Sequence, residues 1–214
     1  MNLWEYEAQE KNNGFNIIAG TDEAGRGPLA GPVFAAAVIL PFGEDIEFLN
    51  DSKKLSETVR ERLYGIIISK ATAFGVASAD HTEIDNSNIL RATFLAMGRA
   101  VGKLAVKPDI ILVDGNRDPG INVRSLCVIG GDGKSASIAA ASILAKVSRD
   151  RYMTELAAKY PQYGFERHKG YGTKLHYEKL REFGPSEVHR TTFDLKIEYE
   201  AEPGGKSRKP PQDK

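Results

Sequence analysis

The chain has a single cysteine, Cys127, no excess of either charge and no apolar run of membrane-spanning length. One cysteine excludes an intramolecular disulfide and a cysteine-rich zinc site, and fits a reducing compartment. The first residues, Met1-Asn2-Leu3-Trp4-Glu5-Tyr6-Glu7, lack a signal-peptide pattern, so a cytoplasmic protein with no membrane partner is expected. The 29 basic and 29 acidic residues cancel, which argues against a general polyanion binder but allows a local basic groove beside an acidic pocket. His81, His168, His176 and His189 lack a helix-spaced zinc pair with a third ligand. Gly133-Lys134-Ser135 looks like the end of a phosphate-binding P-loop. The position where that loop needs its first glycine holds Val128, so Lys134 and Ser135 read more simply as a helix start.

What the chain does have is a dense stretch near its start, Gly20-Thr21-Asp22-Glu23-Ala24-Gly25-Arg26-Gly27-Pro28-Leu29-Ala30-Gly31-Pro32. An apolar run from Phe15 ends in two adjacent carboxylates and then glycines, which reads as a buried strand emerging at a sheet edge. Successive strand residues face opposite sides, so both acids reach one ion only if the chain bends there, and the glycines permit a bend. Arg26 between two glycines places a cation among accessible amides. Carboxylates for a divalent ion next to donors for phosphate or sugar suggest nucleic-acid chemistry.

At 214 residues and 41% hydrophobic content the chain can bury a full core within one domain. Residues 1–14 suggest a short aromatic-anchored helix, and strands are expected over 15–21, 33–40, 74–79, 110–113 and 125–129. Helices are expected from Ser56 to about Lys70, from Ile89 to Val101, from about Ser137 to Lys159 and from Leu175 to Phe183. Asp80–Asn88 and Tyr160–Gly172 read as loops. Residues 1–200 are taken as one domain, and 201–214, with nothing apolar to bury beyond Glu202, as a disordered tail.

The acid-then-glycine pattern recurs at Asp114-Gly115 and Asp132-Gly133, each after an apolar strand. Four carboxylates gathered together repel unless cations compensate, and an all-oxygen donor set suits Mg²⁺ or Mn²⁺. Asp22, Glu23, Asp114 and Asp132 are therefore candidate metal ligands for a two-ion phosphoryl displacement. Two readings of another class remain: a P-loop-like nucleotide switch, and a hybrid-binding module without catalysis.

Asp22-Glu23-Ala24-Gly25-Arg26-Gly27, Asp51-Ser52-Lys53-Lys54-Leu55, Asp114-Gly115-Asn116, Gly131-Asp132, the run Ala139–Val147 and His168-Lys169-Gly170-Tyr171-Gly172-Thr173 occur in that order. Together they resemble ribonuclease HII from about residue 15 to Phe193. The resemblance implies an α/β fold, a ribonuclease H-like mixed sheet flanked by helices with a helical C-terminal part, acting as a monomer. It implies cleavage of RNA in RNA–DNA hybrids and on the 5′ side of single ribonucleotides in duplex DNA, leaving 3′-hydroxyl and 5′-phosphate. Asp22, Glu23, Asp114 and Asp132 would be its catalytic metal-binding acids. Gly25, Arg26 and Gly27 would read the ribose 2′-hydroxyl, and Tyr171 would pack on the deoxyribose that follows. Lys53 and Lys169, inside the matching motifs, are expected at the phosphate backbone; Lys54, Lys146 and Arg167 read as solvated surface cations. Type III relatives lack Gly-Arg-Gly and carry an extra N-terminal domain; this chain has the tripeptide.

Overall fold

Alternating small and β-branched residues build the sheet, and alanine-rich helices close on both its faces. The computed structural model describes residues 3–47, 49 and 55–196. Strands β1 (Ile18–Ala24), β2 (Val33–Ile39), β3 (Ala73–Ala79), β4 (Ile110–Asp114) and β5 (Arg124–Val128) lie in the order β3-β2-β1-β4-β5. β2 is antiparallel to both β1 and β3, whereas β4 runs parallel to β1 and to β5. The helices are α1 (Glu5–Asn12), α2 (Glu57–Lys70), α3 (His81–Asn86), α4 (Ile89–Gly102), α5 (Ala136–Lys159), α6 (Phe165–His168) and α7 (Lys174–Phe183).

Period two assigns the faces. Ala19, Ala35, Ala37, Ile111 and Val113 pack with Ala92, Ala96, Met97 and Ala100 of α4. On the other face, Ala36 and Val38 meet Ala136, Ala139, Ala140 and Ala141 of α5, while Ile18, Ile110 and Leu112 meet Ile138. Small side chains let α5 sit almost on the backbone of β1. A Cβ on Gly20 would lie 2.2 Å from the carbonyl carbon of Ser137, closer than any side chain tolerates. A third cluster, with Leu29, Met153, Leu156, Tyr163, Phe165 and Leu180, ties the far half of α5 to α6, α7 and the segment after β1. This is the helical C-terminal part.

The helix starts carry the caps that the sequence signals. Ser56, Asn88, Ser135 and Thr173 accept from the amides of Val59, Arg91, Ile138 and His176. A further cap is less visible in the sequence: buried Glu7 accepts from the Ser135 hydroxyl at 2.6 Å and the Ser137 amide at 3.0 Å, placing a carboxylate at the start of α5.

Three expectations need correction. β1 does not end at Thr21 or bend at the acid pair; it runs through Asp22 and Glu23, which stay paired with Ala36 and Ala35. Asp80–Asn88 is not a plain loop, because α3 forms there on a capping box in which Asp80 accepts from the Glu83 amide and Glu83 from the Asp80 amide. Within Tyr160–Gly172 a 3₁₀ turn, Pro161–Tyr163, leads into α6. Lys53, Lys54 and the tail over 201–214 lie outside the described residues.

Candidate active site

Parallel pairing of β1 with β4 aligns Thr21 with Val113, so the next residues, Asp22 and Asp114, stand side by side where β4 ends and β1 runs on. Asp22 is buried on the α5 face, where the Ser142 hydroxyl and the Glu23 amide (2.7 Å) donate to it. Burial first, then repulsion from Glu23 and Asp114, hold its carboxyl well above the ordinary carboxylate range. Glu23 points the other way, into a cavity of about 230 Å³ lined by Arg26, Asp114, Asn116 and, from α4, Thr93 and Met97. Desolvation raises its pKa against the opposing pull of Arg26, which pairs with it at 3.3 Å. Asp114 accepts from the Gly131 amide at 2.6 Å.

Asp132 follows that amide directly. It is buried in the 3₁₀ turn Gly131–Gly133, beyond rather than at the end of β5. The turn thus links the fourth acid to the first three through the Gly131–Asp114 hydrogen bond. As the side chains stand, no three His, Cys, Asp or Glu among the described residues enclose an ion, since Glu23 is turned to Arg26 and Asp114 to Gly131. The donor chemistry nevertheless fits a hard divalent cation. It is all oxygen, and two of its carboxyls are held uncomfortably desolvated beside a third.

Gly25 has φ +99° and its amide-to-carbonyl frame lies against Arg149: a Cβ would meet the Arg149 Nε at 2.0 Å. Gly27 is different, because its Cβ would touch only the Tyr171 ring edge, at 3.9 Å. The tripeptide and the tyrosine, far apart in sequence, are therefore neighbours. Tyr171 is 41% exposed, with Lys146 Nζ 5.9 Å and the Arg149 guanidinium 5.7 Å from its ring centre. Lys169 is brought to the same loop, in the left-handed region at φ 50°, but its ammonium donates to Thr154 Oγ1 and to the Glu166 carbonyl, both at 2.9 Å. Lys134, the P-loop candidate, folds back onto the Ile129 carbonyl at 2.7 Å, and the Ser135 amide is bonded to Gly131. That loop is closed on itself.

Periodicity gave no signal for the groups that hold these loops. Arg149 and Arg190 are fully buried and direct their donors onto loop carbonyls. His168, His176 and His189 form a buried cluster around Phe165. Their partners fix the tautomers. The Ser186 amide donates to His189 Nδ1, His189 Nε2–H donates to His176 Nε2 at 3.0 Å, and His176 Nδ1–H donates to the Tyr171 carbonyl at 3.0 Å. Such a relay requires neutral imidazoles, and burial pushes His176 and His189 down to about 4.

The ribonuclease HII family model matches residues 19–196. Among curated relatives, a ribonuclease HII of Caldicellulosiruptor bescii is 54% identical over 192 residues, covering 90% of this chain and 93% of the relative. Among solved structures, ribonuclease H2 of Pyrococcus horikoshii is similar at 28% identity with a TM-score of 0.71, over 84% of this chain and 95% of that one. Bst-RNase HIII, solved in complex with Mn²⁺, shares the fold at 19% identity and a TM-score of 0.67, over 84% of this chain and 67% of that one. With Asp22 and Asp114 on adjacent strands, and with the family model and the relative spanning most of its length, the chain belongs to the ribonuclease HII family of metal-dependent nucleases.

Proposed function

We propose that the protein cleaves the RNA strand of RNA–DNA hybrids and cuts on the 5′ side of single ribonucleotides in duplex DNA, leaving 3′-hydroxyl and 5′-phosphate. The observation that carries this reading is the juxtaposition of two desolvated carboxylates, Asp22 and Glu23, and a third, Asp114, with a Gly-Arg-Gly loop that adjoins an exposed tyrosine. Asp22, Glu23, Asp114 and Asp132 would hold Mg²⁺ or Mn²⁺. When bound, such ions supply a water activated near neutral pH and charge to offset that developing on the phosphate. Arg26 is a local cation that the approach of a phosphate would draw from Glu23, freeing that carboxylate.

Recognition follows from the loops. A 2′-hydroxyl both donates and accepts, so backbone groups of the Gly25-Arg26-Gly27 loop, the Arg26 and Gly27 amides among them, can test for it. The Tyr171 ring, against the next sugar, rejects a second 2′-hydroxyl by contact. Lys169 is held too firmly by Thr154 and Glu166 to reach far, so it acts on the substrate backbone only in place. Lys53 is assigned to the phosphate backbone on its motif alone.

The test is a duplex containing one ribonucleotide, incubated with protein with and without Mg²⁺ or Mn²⁺, with the cut mapped at nucleotide resolution. A cut 5′ of the ribonucleotide, dependent on the ion, is expected. Binding without cleavage at any ion concentration would replace the enzyme with a binding module.

A further inference from the structure

We propose that Arg190 is a positioning residue for ribonucleotide recognition, setting the Gly25-Arg26-Gly27 loop through its carbonyls and polarising the amides that meet the ribose. The proposal rests on the reading above that this loop tests the 2′-hydroxyl. Arg190 is fully buried, and its guanidinium donates from Nη2 to the Gly25 carbonyl at 2.6 Å, from Nη1 to the Arg26 carbonyl at 2.9 Å and from Nε to the Gly31 carbonyl at 3.0 Å. A planar fork with donors in fixed directions can span these carbonyls; an ammonium cannot. Each peptide unit joins one carbonyl to the next amide, so the cation on Gly25 O acts on the Arg26 amide, and that on Arg26 O on the Gly27 amide. Among the described residues neither amide donates to another protein group. Both are left for a ligand, and both are made stronger donors.

Arg149 does the complementary job. It donates to Ala30 O, Pro32 O and Lys169 O at 3.3, 3.1 and 3.0 Å, tying the same loop to the one that carries Tyr171. Two buried cations so near one another repel, and no ion pair to either is present among the described residues. Removing such charges from water is costly, and neutral side chains would serve if loop packing were all that was needed. Arg190 is steadied from outside. Asp85 on α3 accepts from the amides and hydroxyls of both Thr191 and Thr192 at 2.6 to 3.1 Å, and the Arg190 amide bonds to Leu29 O at 2.8 Å. The helix that composition hid thus anchors the segment that aims the guanidinium.

The experiment compares wild type with Arg190→Lys, which keeps the charge and loses the fork, in Mg²⁺. Cleavage efficiency on a duplex with one ribonucleotide is measured, together with the inhibition constant of the all-DNA duplex of the same sequence as competitor. Efficiency should fall on the order of tenfold or more, the worth of a charge-assisted hydrogen bond, while the competitor's inhibition constant stays within about twofold. A merely structural role would weaken both alike, and equal losses, or no loss of efficiency, overturn the proposal. Should Arg190→Lys not fold, Asp85→Asn carries the same two readouts from a half-buried anchor, with an expected loss of about threefold in efficiency alone. An unchanged ratio there overturns it equally. Wild type that does not cut the ribonucleotide duplex refutes the recognition reading itself, and the positioning role falls with it.

Discussion

Two glycines of one tripeptide should answer differently to the same substitution. Gly25 adopts φ +99°, which an alanine reaches only at a cost of about 1–2 kcal/mol. The new methyl would also lie 2.0 Å from Arg149 Nε and 2.4 Å from its Cδ. Restoring ordinary contact needs a shift of about 1.5 Å, enough to break a guanidinium hydrogen bond. Arg149 holds Ala30, Pro32 and Lys169 carbonyls, and losing one such charge-assisted bond costs about 1.5–3 kcal/mol. Gly25→Ala should therefore lose about 3–5 kcal/mol, lowering the melting temperature by about 6–20 °C for a chain of this size. Gly27→Ala places its methyl at an ordinary 3.9 Å from the Tyr171 ring, so it should stay within about 1 kcal/mol of wild type. Its cost should appear instead in cleavage, because the methyl sits between the loop and the tyrosine. Urea and thermal unfolding of both variants, followed by cleavage of a ribonucleotide-containing duplex, decide the matter. Equal stability losses would refute the assignment of Gly25 to the fold and Gly27 to the substrate.

Asp22→Asn and Asp114→Asn should abolish Mg²⁺-dependent turnover while leaving the metal-free fold as stable or more so, because each removes a repelling charge; near-normal cleavage by either would sink the ligand assignment. Tyr171→Ala should slow cutting at a single ribonucleotide about ten- to a hundredfold and slow cutting within continuous RNA less, read from single-turnover rates on duplexes differing only in the following sugar. The histidine cluster gives a pH dependence of defined sign. With folded values near 4 for His176 and His189 against an ordinary 6.5, the unfolded chain binds more protons between those limits, so stability is full above about 6.5 and falls as pH drops toward 4. Each imidazole contributes at most about 3 kcal/mol, less after solvent screening, and Asp22 and Glu23, raised rather than lowered, work in the opposite direction. Urea unfolding of the Asp22→Asn, Glu23→Gln double variant across that range removes that opposition; flat or rising stability on acidification would contradict the buried neutral relay of the histidines.

Strands and long helices were legible because their apolar periods are strong, and the acids because each closes such a run. Helix α3 was not, since a six-residue helix, His81–Asn86, shows no period; its one signature is Asp80 three residues before Glu83. The course of β1 through Asp22 and Glu23 was hidden for another reason: charge in a strand looks like its end, yet pairing with β2 keeps both residues extended. Asp132 looked like a strand-end acid because Gly130 at φ 64° and the following turn leave no trace in hydrophobicity. Arg149 and Arg190 were invisible in principle. Their partners are backbone carbonyls, and backbone carries no sequence identity.

The Arg190–Gly25 hydrogen bond joins residues 165 positions apart. A loop held from that distance cannot gain that bond until Arg190 itself has been made, whatever the strands around it have done. Emerging β1 and β2 can pair early, but the guanidinium that sets the loop arrives among the last residues of the fold. On the positioning role proposed for Arg190, a chain broken off before that residue would keep Asp22, Glu23, Asp114 and Asp132 but lose the guanidinium that holds the loop beside them.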